Sequence, residues 1–208
     1  IASSLGRIVI CPRETQASGG DYRTSRQPWQ VEVGMANETE SLITDELRAA
    51  LGREFPAVTS CDKLSTSEVR RFAQATVDDS PIYYDEDHAR NLKYGGVVAP
   101  GSYPITGARR RASGTPDPLA TVSTDSRAEE SVETTKGIPW PPHLLVFHAY
   151  SDLEVHQLAK VGDRITQHRR LADAYEKTGR SGRLLFIVTE NTFVNQNGDI
   201  LCTERYVD

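Results

Sequence analysis

The sequence predicts an α+β fold, with helices segregated onto one face of an antiparallel sheet. Helical periodicity occupies residues 36–96 and strand-like segments occupy 144–208. The two kinds of segment do not alternate, and no GxGxxG or GxxxxGK[ST] loop is present, which disfavours the parallel nucleotide-binding folds. A last apolar stretch broken at Asn197-Gly198 reads as a hairpin, because that residue pair tolerates the positive φ angles of a tight turn.

Residues 1–34 differ in character from the rest of the chain. They are rich in Arg, Gln, Ser and Gly, and their two strand-like pieces, RIVI and WQVEV, are short. We read 1–34 as an N-terminal arm or extension and 35–208 as one domain. ANETESLITDELRAALG predicts a helix ending at Gly52, with Leu42, Ile43, Leu47, Ala50 and Leu51 on one stripe. LSTSEVRRFAQATV predicts the next, opened by a Ser65–Glu68 capping box and apolar at Val69, Phe72 and Ala73. A third helix is expected from Asp85 to Tyr94-Gly95-Gly96. Residues 113–137 carry few large apolar side chains and read as a long loop. LLVFHAYSDLEVHQLA, GDRITQHRRLADAYEK and RLLFIVTENTFVNQNGDILCTERYVD then supply the strands.

Size and charge narrow the possible functions. The chain has 208 residues and a net charge of −5, and it lacks the basic surplus of a nucleic-acid binder. No apolar run is long enough to span a membrane, and the first residues do not read as a signal peptide. Cys11, Cys61 and Cys202 are too scattered for a disulfide framework or a zinc site, so a reducing cytoplasm is the expected setting. The five histidines show no metal-ligand spacing, and neither a metal nor a cofactor is expected.

The segment VDDSPIYYDEDHA, residues 77–89, is the one that suggests chemistry. By itself it also reads as a solvated turn between helices. Asp78-Asp79-Ser80-Pro81-Ile82-Tyr83, five residues and then Ala89 resembles the signature of the MaoC-like (R)-specific hydratases and dehydratases: Gly-Asp-x-Asn-Pro-[Leu/Ile/Val]-His, five residues, Ala. YGGVVAPGSY resembles the family's second block, and LADAYEKTGRSGRLLFIVTENTFVNQNGDIL is similar to its N-terminal, FAS1-like dehydratase type. The resemblance runs from about Ile43 to Asp208 and implies a hotdog fold, an antiparallel sheet wrapped around a central helix.

The implied reaction adds or removes water across the double bond of an acyl thioester, acyl-CoA or acyl-ACP being the substrate. Carried over, Asp78 takes the acid position and Gly101 the position whose amide binds the thioester oxygen. Val77 stands for the motif's Gly, Ser80 for its Asn, Tyr83 for its His and Pro100 for the second block's His. Imidazole exchanges protons near neutral pH, whereas a phenol titrates near 10, so Tyr83 is a poor proton shuttle. In the family, one of two hotdog halves can lose the Asp–His pair and shape the acyl tunnel. The resemblance therefore implies an accessory acyl-binding half of a lyase in fatty acid or lipid metabolism, paired with a second hotdog subunit. A homodimeric hydratase using Asp78 and Tyr83, a hotdog thioesterase and a non-catalytic acyl-thioester binding module remain open.

Further candidate substrate contacts are Ser80, Pro100, Ser102, Trp140, His148 and Arg109. Trp140, in the proline-dense IPWPPH, reads equally as tunnel wall or core. His148 is expected on a core strand near the tunnel. Arg109, in a run of three arginines, suits a CoA phosphate or a solvated face.

Overall fold

The first turns of three helices are closed by side chains that the sequence places there. Thr44 Oγ1 accepts the Leu47 amide at 3.1 Å and opens α1, Asp45–Ala50. Ser65 Oγ accepts the Glu68 amide while Glu68 Oε2 accepts the Ser65 amide, so the capping box opens α2, Thr66–Ala75, as expected. Asp85 Oδ1 accepts the His88 amide at 2.9 Å and opens α3, Glu86–Arg90. These features come from a computed structural model that describes residues 41–108, 137–141, 144, 146–179 and 182–208. The expected arm at 1–34, nearly all of the loop at 113–137, and Arg109 lie outside the described residues.

Two helices are shorter than the sequence suggests. α1 begins at Asp45 because the preceding Ser41 and Leu42 are bound elsewhere: the Ser41 hydroxyl and the Leu42 amide both donate to Glu176. α3 ends at Arg90, and its Asn91 cap already makes tightened bonds to Asp87 and His88. A 3₁₀ turn at Pro81–Tyr83 and a short helix α4, Tyr103–Gly107, complete the described helices. α4 starts at the last residue of the second block, YGGVVAPGSY. Its Tyr103 and Gly107 are buried, and Tyr103 packs edge-on against Phe72 of α2 with ring centroids 5.3 Å apart.

The strands are β1 (Val58–Thr59), β2 (Tyr150–Val155), β3 (Thr166–Gly179), β4 (Gly182–Val194) and β5 (Ile200–Val207). They form one antiparallel sheet in the order β1-β3-β4-β5-β2. The β4–β5 hairpin closes where expected. The Asn195 amide donates to the Asp199 carbonyl, and Gly198 adopts φ +85°.

Register places Gln167, Phe193, Cys202 and Val155 side by side, and Leu171 beside Thr189 and Tyr206. A bulge between Leu171 and Asp173 returns Ala174, opposite Ile187, to the face of Leu171. The helices cover this face in two clusters. One joins α2, the 3₁₀ turn, α3 and α4 to Ile165, Phe193, Leu201 and Cys202. The other joins α1, Ile138 and Trp140 to Leu171, Ala174 and Ile187. A buried polar chain crosses the same face: Gln167 Nε2 donates to Asn191 Oδ1 at 2.8 Å, and Asn191 Nδ2 to Glu204 Oε2 at 3.0 Å.

Candidate active site

The site is built at the C-terminus of α2. The Asp78 amide donates to the Ala73 carbonyl at 2.9 Å and the Val77 amide to the Gln74 carbonyl at 3.2 Å. Together these bonds are a Schellman motif, which ends a helix with its next residue in the left-handed region. That residue is Val77, at φ +55°, among the described residues the one non-glycine with positive φ. A β-branched side chain there crowds its own backbone, at a cost of about 1–2 kcal/mol. The family pattern's Gly falls at this position, where it would carry no such strain.

Asp78 closes this motif with its amide, and two further hydrogen bonds fix it. Its Oδ1 accepts the Ser80 amide at 3.1 Å, and its backbone carbonyl accepts the Tyr84 hydroxyl at 3.1 Å. Its carboxylate also lies near enough to the Tyr83 hydroxyl to disfavour ionisation of the phenol. Tyr83 lies on the 3₁₀ turn with its side chain buried. Burial raises its pKa above the ordinary 10.0, and the nearby Asp78 carboxylate and Tyr94 raise it further. At neutral pH Tyr83 is therefore a neutral donor. It can hold a water or an oxygen beside Asp78 but cannot collect a proton as imidazole would.

The second block joins this pair through the backbone. The Val98 amide donates to the Ile82 carbonyl, and Val97, Val98, Ala99 and Tyr103 share the core cluster of Tyr83. Pro100 is buried, and the Tyr103 amide donates to its carbonyl. Gly101 sits against β2: a Cβ added there would lie 2.7 Å from Val155 Cγ2, so only glycine fits without displacing the Val155 side chain. Ser102 is the N-cap of α4 but makes no side-chain capping bond. Sequence reasoning identifies Asp78, Ser80 and Tyr83 as one cluster, and the structure brings them together. It misses Tyr84, Tyr94 and Val155. The Tyr83-Tyr84 doublet is a visible signal for the first; nothing local marks the other two.

Two candidates lie elsewhere. Trp140 packs in the cluster of α1, Leu171 and Ile187, away from Tyr83, and its buried indole N–H has no hydrogen-bond partner among the described residues. His148 is half-exposed rather than in the core. It stacks on Tyr206 at 4.4 Å, with Nδ1 3.7 Å from Asp208 and Nε2 3.5 Å from Ser151 Oγ. A cavity of about 10 Å³, room for one water, lies between Ser60, Asp62, Glu68, Tyr103 and Asp163; it includes neither Asp78 nor Tyr83 and is too small for an acyl chain. Among the described residues no cluster of ligating side chains could hold a metal ion, and no helix is long and apolar enough to cross a membrane.

Comparison with known proteins gives this geometry its family. Residues 49–204 match the model of the FAS1-like dehydratase domain region. The chain belongs to that family. Its members are dehydratases and hydratases of the hydro-lyase type, and the MaoC-like resemblance read from residues 77–89 holds. A "probable enoyl-CoA hydratase alpha subunit" of Thermomonospora curvata is 27% identical over 146 residues, 70% of this chain and 44% of that protein. This FAS1-like chain therefore spans less than half the length of that curated relative.

Solved structures share the fold. The ChsH1–ChsH2 complex of Mycobacterium tuberculosis aligns with a TM-score of 0.57 at 16% identity, covering 77% of this chain and 84% of that one. The C-terminally truncated HadBC (3R-hydroxyacyl-ACP dehydratase) complex of the same organism gives 0.51 at 17% identity, with 76% and 95% covered. The (R)-hydratase of A. caviae involved in PHA biosynthesis gives 0.50 at 15% identity, with 76% and 93% covered. The fold is the expected hotdog.

Proposed function

We propose that this chain is the accessory, acyl-binding half of a heteromeric enoyl thioester hydratase or 3-hydroxyacyl thioester dehydratase. The observation that carries this reading is the Asp78–Tyr83 pair: a carboxylate beside a buried phenol held protonated, where the family signature has histidine. In this reading Asp78 and Tyr83 grip a water or the β-oxygen of the acyl group. The Gly101 amide faces the thioester oxygen, where charge develops during proton exchange at the α-carbon. The second hotdog unit contributes the imidazole. The alpha-subunit name of the curated relative and the two-component ChsH1–ChsH2 and HadBC complexes support a partnered assembly. Acyl-CoA or acyl-ACP is the proposed ligand. The scattered thiols, free at Cys61 and Cys202, favour a reducing cytoplasm.

The test is hydration of crotonyl-CoA, followed by loss of enoyl absorbance. The purified chain alone is expected to turn over at least ~10²-fold more slowly than the same chain assembled with a hotdog unit carrying Asp-x-x-Pro-x-His. Equal rates for the two would defeat the accessory reading.

A further inference from the structure

We propose that Val77 is a contact residue for the second hotdog unit; the proposal rests on the partnered reading above. Val77 holds a left-handed conformation that disfavours its β-branched side chain. The side chain is 82% exposed, so packing among the described residues does not offset the strain. Glycine at the same place would leave both Schellman bonds intact and remove the crowding. Strained residues persist where function holds them, and an isopropyl group has only apolar contact to offer.

The cover we assign to Val77 is an apolar surface beyond the described residues. An acyl tunnel is shielded from water by its own walls, and a side chain this open is not such a wall. A docking polypeptide fits better. The match to the Thermomonospora curvata protein accounts for 44% of its length, leaving more than half for further chain, and two similar structures are two-component complexes. Val77 also directly precedes Asp78, so contact at Val77 would bear on the turn that aims the carboxylate.

The experiment uses the complex purified through a tag on this chain, with its second component identified by sequence as a unit carrying Asp-x-x-Pro-x-His. V77G, V77A and V77I are compared with the parent chain for melting temperature alone and for dissociation constant in the complex. V77G is expected to melt several degrees higher alone yet bind the second unit about tenfold or more weakly, the loss expected for an unburied isopropyl group. V77A is expected to lose affinity without gaining stability, and V77I to keep both properties of the parent. If V77G gains stability and binds with unchanged affinity, the strain has no partner and the proposal is wrong, while the partnered reading stands. If the parent chain joins no second unit, both fall.

Discussion

Helices α1 and α2 are each followed, one residue past the cap, by a positive φ, but reach it through different turns and with different residues. α1 passes through Leu51 to Gly52 at φ +83°, and the Gly52 amide donates to the Leu171 carbonyl of β3. α2 passes through Thr76 to Val77 at φ +55°, and the next amide belongs to Asp78. At the first end, glycine adopts the left-handed angle freely and the turn simply hands the chain to the sheet. At the second, a strained residue sits beside the candidate carboxylate. Around α1 the molecule uses devices that any domain uses: a threonine cap, a glycine stop and an aliphatic cluster. Around the end of α2 it tolerates a positive φ at valine, buried phenols and a glycine pressed against a neighbouring strand. Local departures from easy structure mark the site.

The contrast can be broken in several places. Leu47 of α1 is fully buried against the sheet. Leu47→Ala should cost about 2–5 kcal/mol in denaturant unfolding. Acyl-thioester affinity of the folded protein should stay the same; a matching loss of affinity would mean that the α1 region serves the site after all. Next in size is Gly52→Val, which imposes at α1 the strain already present at α2. It should destabilise by about 1–2 kcal/mol, read by thermal unfolding, the opposite sign to V77G. Tyr83→Phe removes the buried hydroxyl beside Asp78 and should change stability by no more than about 1 kcal/mol. Its distinguishing effect is weaker acyl-thioester binding in calorimetry, which Leu47→Ala should lack.

The last contrast is read in acid and belongs to Glu176. The Ser41 hydroxyl lowers its pKa most, against the opposing effect of burial; the hydrogen bond from Arg183, the Leu42 amide and the Arg183 charge lower it further. The result is about 2 against an ordinary 4.5. A folded-state pKa below the unfolded one contributes stability that is complete above the unfolded value and is lost as pH falls through the folded value. Acid titration should show this loss between about pH 4.5 and 2, and Glu176→Gln should flatten that limb without touching thioester binding.

Much of the architecture is readable from residues alone. The Ser65–Glu68 box, the Gly52 stop and the Asn197-Gly198 turn are local chemistry, and each forms where its residues stand. Asp78, Ser80 and Tyr83 come together because six residues of signature span one turn. What escapes depends on distant chain. Val155 meets Gly101 only once β2 pairs with β5, and Glu176 truncates α1 only once the β3–β4 hairpin brings it beside Ser41. Trp140 joins α1 instead of the site because Leu171 and Ile187 offer it an apolar bed there. Val77 is ordinary as a letter, and its strain exists only as an angle.

The chain of amide and carboxylate side chains through Gln167, Asn191 and Glu204 gives the sheet a way to reject its own misalignment. Sliding β4 by two residues along β3 and β5 would keep the pleat in phase and still bury apolar side chains, so hydrophobicity alone barely opposes it. The same slide would carry Asn191 past Glu204 and maroon a carboxylate in the dry interior. Three polar residues thereby act as a key that turns in only one alignment of β3, β4 and β5, the strands on whose shared face the site is assembled.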